Sequence, residues 1–92
     1  MPELKWTAKA RHDLERLYEF LAPENAHAAA RTVQALVNAP ARLLAHPRIG
    51  ERLEEFEPRE VRRILLQNYE IRYEVKGRSL FILRIWHTRE DR

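Results

Sequence analysis

Tyr69, Ile71, Tyr73 and Val75 alternate with Glu70, Arg72, Glu74 and Lys76. A period of two puts one set on each face of a strand, so the segment predicts a strand with one buried face and one wet face. Lys76-Gly77-Arg78 reads as a tight turn. Ser79–His87 follows, apolar on both faces through Leu80, Phe81, Ile82, Leu83 and Ile85. A strand of that kind belongs inside a sheet, and the short glycine turn makes the two an antiparallel hairpin. Residues 61–67 begin the sheet one strand earlier. This constraint limits the rest of the chain: whatever precedes the strands has to supply the layer that covers their apolar face.

Residues 7–45 have the composition for it, with many alanines and leucines and no β-branched run. Leu4 and Trp6 form a short apolar stub. Thr7 predicts an N-cap, and a helix follows to about Leu21 with a stripe of Ala10, Leu14, Leu17, Tyr18 and Leu21. Lys9–Asp13 and Arg11–Glu15 are opposite charges four apart, expected on the outer face. Ala22-Pro23-Glu24-Asn25 stops this helix. Asn25 predicts a second N-cap, with a stripe of Ala26, Ala30, Val33, Val37 and later Leu44. Pro40 removes a backbone donor and is expected to kink or divide the second helix near Val37. His46-Pro47-Arg48-Ile49-Gly50 closes the helical half as a turn. Residues 51–60, charged and containing Pro58, read as a loop or edge segment. The expected core sets Ile71, Tyr73, Val75, Phe81, Leu83 and Ile85 against Leu14, Leu17, Leu21, Val33 and Val37. Helices followed by strands make an α+β domain.

Ninety-two residues allow one domain, over residues 1–92, with a thin core. No apolar run approaches the roughly 20 residues of a membrane span, and the charged start MPELKWTAKARHDLE does not read as a secretory signal. Cysteine is absent, which excludes disulfides, thiolate metal sites and a cysteine nucleophile. The expected location is cytoplasmic. Two glycines leave no room for a phosphate-binding loop, and the only serine, Ser79, lies by a turn. His12, His27, His46 and His87 show no metal-ligand spacing, so neither metal nor cofactor is expected. The net charge of +3 is too small for a general polyanion binder. Of the 17 basic residues, 14 are arginine, whose planar fork suits carboxylate and phosphate.

The chemistry that stands out lies on the strands. Arg84 inside an apolar strand has to be paired or reach a groove, since burying it alone is costly. His87 at the strand end has the titration range of a general acid or base. Arg62, Arg84 and Arg89 can converge with it on a phosphate or carboxylate. The plainer reading pairs Arg84 with Glu70 or Glu74 and leaves His87 capping the sheet. The acidic run Glu51, Glu54, Glu55, Glu57 and Glu60 reads as a solvated loop balanced by Arg52 and Arg59.

The helical hairpin, then H-P-R-I-G, then V-R-R-I-L-L-Q-N-Y-E-I-R-Y-E-V, then I-L-R-I-W-H-T-R-E-D resembles the ParE/RelE toxin superfamily of bacterial type II toxin–antitoxin systems, and more closely ParE. The residues carrying the resemblance are Arg62, Tyr69, Ile71, Tyr73, Val75, Arg84, His87 and Arg89. It implies a RelE/ParE-like fold: short N-terminal strand, helical hairpin, small antiparallel sheet. RelE-like relatives are ribosome-dependent endonucleases; several ParE-like relatives block DNA gyrase. The nuclease pattern is incomplete here. No lysine cluster lies near the sheet, Thr88 follows His87 where some nucleases carry tyrosine, and Glu70 stands where some carry arginine. The resemblance therefore implies a gyrase poison, with a ribosome-dependent mRNA endonuclease using Arg62, Arg84, His87 and Arg89 as the alternative. Target or antitoxin contacts are expected at Arg62, Arg72, Arg84, His87 and Arg89. The implied partner is a small antitoxin with a DNA-binding N-terminal part and an acidic amphipathic C-terminal segment, assembling as a heterotetramer or on a toxin homodimer.

Overall fold

The structure is a computed structural model describing residues 2–90; Asp91, the last residue of the tail motif, and Arg92 lie outside the described residues. The elements run β1 (Glu3–Trp6), α1 (Ala8–Leu21), α2 (Ala26–Asn38), a 3-10 turn over Ala39–Leu44, β2 (Glu51–Arg52), a second 3-10 turn over Glu54–Phe56, β3 (Glu60–Leu66), β4 (Tyr69–Lys76) and β5 (Ser79–His87). The sheet order is β1-β5-β4-β3-β2. All neighbours are antiparallel except β1, which pairs with β5 in parallel. The doubly apolar strand is thus interior, and the N-terminal stub is its second neighbour. Gly77 takes a left-handed φ of 61° in the β4–β5 turn, a conformation that favours glycine.

Both predicted caps form. Thr7 accepts from the Ala10 N–H, and Asn25 from the Ala28 N–H. Pro40 ends α2 as expected, and the chain tightens into the 3-10 turn with Pro40 and Leu43 buried. The phase of α2 differs from the expected stripe. Its buried face is Ala29, Leu36 and, beyond the helix, Leu43, while Ala26, Ala30 and Val37 are exposed. Alanine and valine recur at helical spacing on both sides of this helix, and leucine, the larger side chain, takes the core. Tyr18 on α1 is exposed as well.

On β4, Tyr69, Ile71, Tyr73 and Val75 are all buried as expected. On β5 the expected set is Phe81, Leu83 and Ile85, but the residues buried in the helix-side core are Leu80, Ile82 and Ile85, with Trp86 buried on the other face. The register explains this. Tyr73 lies opposite Ile82 while Arg72 lies opposite Arg84, so Leu83 is an extra residue in a bulge. A bulge reverses the alternation on one strand only, so the inward set changes parity partway along β5.

Tyr73 also fixes the loop before the sheet. Its hydroxyl donates to the Pro47 carbonyl at 2.8 Å and accepts from the Gly50 N–H at 3.0 Å. A Cβ at Gly50 would stand 2.6 Å from both the Arg63 carbonyl and the Tyr73 hydroxyl, so glycine is required by contact with the strand.

Leu36→Ala is expected to lower unfolding free energy by about 2–5 kcal/mol in urea titration, because it opens a cavity at a fully buried site. Val37→Ala is expected to change it by about 0.5 kcal/mol or less. Equal losses at the two positions would contradict the helix phase.

Candidate functional site

β1 covers only the first part of β5, ending where Trp6 meets Ile82. Past that point the outer edge of β5 needs other partners, and α1 supplies them. The Thr7 N–H and hydroxyl both donate to the Ile82 carbonyl, at 3.2 and 2.7 Å. Asp13 accepts from the Ile85 N–H at 2.8 Å, and Arg16 donates to the Ile85 carbonyl at 3.1 Å. Asp13 also receives Arg84 through two nitrogens, at 2.8 and 3.1 Å, and Arg16 at 3.2 Å. The Asp13 side chain is only 5% exposed. Two expectations are corrected here. Asp13 does not stand on the outer face with Lys9, and Arg84 pairs with neither Glu70 nor Glu74. Three residues from Ala10 and four from Leu17, Asp13 lies on the buried stripe itself, a placement that its helical spacing already indicated.

Burial alone would raise the Asp13 pKa. The hydrogen bonds from Arg84, the Ile85 N–H and Arg16 outweigh it and hold the carboxyl below its ordinary value. Arg84 is shifted up by the same contact.

The outward face of the sheet carries a second network. Arg63, Arg72 and Arg84 stand in one cross-strand row over β3, β4 and β5. Like charges in register repel. Glu70, 2% exposed, sits between them, accepting from Arg63 at 3.2 Å and Arg72 at 2.9 Å. This corrects the reading of Glu70 as a wet-face residue. Arg72 stacks between the rings of Phe56 (5.2 Å) and Trp86 (4.7 Å), and Arg84 lies 5.5 Å from Trp86. Arg63 also pairs with Glu51 at 2.8 Å.

Arg62 belongs elsewhere. It is opposite Tyr73, on the helix-side face, where it donates to Glu60 at 2.9 Å and to the Gly50 carbonyl at 2.8 Å. Arg48 grips the same Glu60 at 2.8 Å, and hydrogen bonds from the two arginines overcome burial to lower the Glu60 pKa. His87 lies opposite Tyr69, its ring edge-on to that tyrosine at 5.1 Å. Four residues of β4 separate the Arg62 and His87 rows, roughly 13 Å along the strand and about 10 Å across two strands. His87 Nδ1 accepts from the Arg89 N–H at 3.0 Å, and the His87 N–H donates to Glu90, which also holds Arg16. The sequence-derived set is therefore divided: Arg84, His87 and Arg89 lie at one end of β5, Arg62 on another strand and face, and Arg72 in the stacked row. Sequence reasoning missed Asp13, Arg16, Glu70 and Glu90, the carboxylates and cation that organise these arginines. Among the described residues no three side chains converge to hold a metal, and no helix is long and apolar enough to cross a membrane.

A parallel strand, a helical hairpin locked onto it and an antiparallel sheet faced with paired arginines define a small α+β protein. A solved structure, the "Chromosomal ParDE TA system from P. aeruginosa", superposes with a TM-score of 0.81 at 30% identity, over 95% of this chain and 96% of that one. The family profile "ParE toxin of type II toxin-antitoxin system, parDE" matches residues 4–92. The chain belongs to the ParE toxin family. A search among curated proteins gave no significant match.

Asp13→Asn is expected to destabilise the protein by about 2–4 kcal/mol. Arg84 loses its counter-charge but stays 42% exposed, so water offsets part of the loss. The pH dependence has a definite sign. Because the folded pKa of Asp13 lies below the unfolded value of about 3.9, its contribution is complete above that value and is lost as pH falls through the folded pKa. Urea melts between neutral pH and about pH 2 are expected to fall less steeply for Asp13→Asn than for wild type. Parallel curves would show that Asp13 is not held ionised.

Proposed function

We propose that this chain acts by binding DNA gyrase, not by cutting messenger RNA, and that a cognate antitoxin silences it. One observation carries the choice. Cleaving a phosphodiester needs unengaged cations around the developing charge and a proton-transfer group beside them. Here the Arg84 fork is closed on Asp13, Arg62 on Glu60, and Arg63 and Arg72 on Glu70, while Arg62 stands apart from His87, which leaves Arg89 as the one member of the arginine set without a carboxylate partner among the described residues. A surface of this kind suits recognition of a protein better than catalysis. Membership of the ParE family supports the toxin role, and the ParDE description of the solved relative supports an antitoxin partner.

Purified protein is expected to stabilise cleaved DNA–gyrase complexes in a supercoiling assay, with His87→Gln altering the effect less than about threefold, since no proton transfer is involved. Cleavage of messenger on translating ribosomes, lowered about 10²–10⁴-fold by His87→Gln and without any effect on supercoiling, would reverse the assignment.

A further inference from the structure

β1 is an outermost strand of the sheet, and its far side faces no strand among the described residues. The Glu3 and Thr7 N–H groups point inward, to the Arg78 and Ile82 carbonyls beside and on β5. In a trans peptide the carbonyl points opposite to the N–H that follows it, so the Pro2 and Trp6 carbonyls point outward. Alternation along the strand turns the Leu4 N–H, the Leu4 carbonyl and the Trp6 N–H outward as well. Arg11 already occupies the Trp6 carbonyl, donating to it at 2.9 Å. The Pro2 carbonyl, both Leu4 groups and the Trp6 N–H have no hydrogen-bond partner among the described residues. The side chains alternate too. Leu4 and Trp6 pack against the core, while Glu3 and Lys5 stand on the other face, each more than half exposed.

We propose that this edge pairs with the same edge of a second copy, antiparallel, about a two-fold axis at Leu4. In that register each Leu4 exchanges both backbone hydrogen bonds with the partner's Leu4, and each Trp6 N–H donates to the partner's Pro2 carbonyl. The one donor missing from the ladder is the N–H that proline lacks. It would face the Trp6 carbonyl, which Arg11 already satisfies. Glu3 stands opposite the partner's Lys5, and Lys5 opposite the partner's Glu3, so four charges alternate in sign across the axis. On the helix side leucine meets leucine, and the Pro2 ring meets the Trp6 indole.

Charges and proline ordinarily blunt an edge strand against pairing. On β1 they select one register. Sliding by two residues sets glutamate against glutamate or lysine against lysine. It also turns a Leu4 backbone group toward the proline nitrogen or the occupied Trp6 carbonyl. A two-fold contact of this kind is closed, so it ends at a dimer with one sheet running through both copies. The pairing requires nothing of the gyrase or antitoxin readings.

Sedimentation equilibrium of the purified protein is expected to show a reversible monomer–dimer equilibrium. Glu3→Lys and Lys5→Glu are each expected to weaken it about tenfold or more, since each places like charges across the axis. Mixed in equal amounts, these two variants are expected to associate with each other within about threefold of wild type, two lysines then facing two glutamates. The double variant Glu3→Lys/Lys5→Glu is expected to regain the homodimer. Phe20→Ser, which removes a 75% exposed apolar side chain from the helical hairpin, is expected to leave association unchanged. The Leu4 and Trp6 amides are expected to exchange with deuterium more slowly as protein concentration rises. Circular dichroism melts verify that each variant is folded. A monomer at every concentration, a dimer indifferent to both charge reversals, a dimer that Phe20→Ser dissociates, or failure of the two charge variants to associate when mixed would overturn the proposal. So would a monomeric protein whose Leu4 and Trp6 amides become protected only when the neighbouring gene's product is added.

Discussion

The contact between Asp13 and Arg84 joins the two layers of this protein. α1 follows β1 with only Thr7 between, so the chain must turn from strand to helix while β5 still has an uncovered edge. Asp13 meets that edge at the Ile85 N–H and meets the Arg84 guanidinium with its remaining lone pairs. One buried carboxylate thus replaces a missing stretch of strand and neutralises an interior-strand cation. It also fixes the rotation of α1 about its axis, since Ala10 and Leu17 are buried on the same stripe. A buried charge with these partners is tolerable because each hydrogen bond lost to water is replaced by one from the protein.

The other face of the sheet follows similar logic. Three arginines in cross-strand register repel one another unless counter-charge and aromatic surface lie between them. Glu70, Trp86 and Phe56 supply both. These arginines hold the sheet's outer face together, which limits their use in catalysis. Exposed cations such as Arg31, Arg42, Arg78 and Arg89 have no such carboxylate partner among the described residues.

The alternation of Tyr69, Ile71, Tyr73 and Val75, the capping residues Thr7 and Asn25, the break at Pro40 and the turn at Gly77 could all be read from the sequence, because each is a local preference acting over a few residues. The motif resemblance added the toxin superfamily. The site was less legible. Arg84 stood out as a cation in an apolar strand, but its partner, Asp13, lies 71 residues away in sequence, and the plainer sequence reading paired it with a nearer glutamate. The bulge at Leu83 left no signature, since apolar residues occupy both parities of β5, and the phase of α2 was ambiguous for the same reason. By itself the sequence determined the two helices, the three long strands and the interior place of β5, while β1 read only as an apolar stub and residues 51–60 only as a loop or edge segment. Only the tertiary structure decided which face each element buries, which carboxylate closes on which arginine and which arginines stay open. Those choices depend on contacts between residues far apart in the chain, where side-chain volume and charge pairing, not local backbone preference, set the energy.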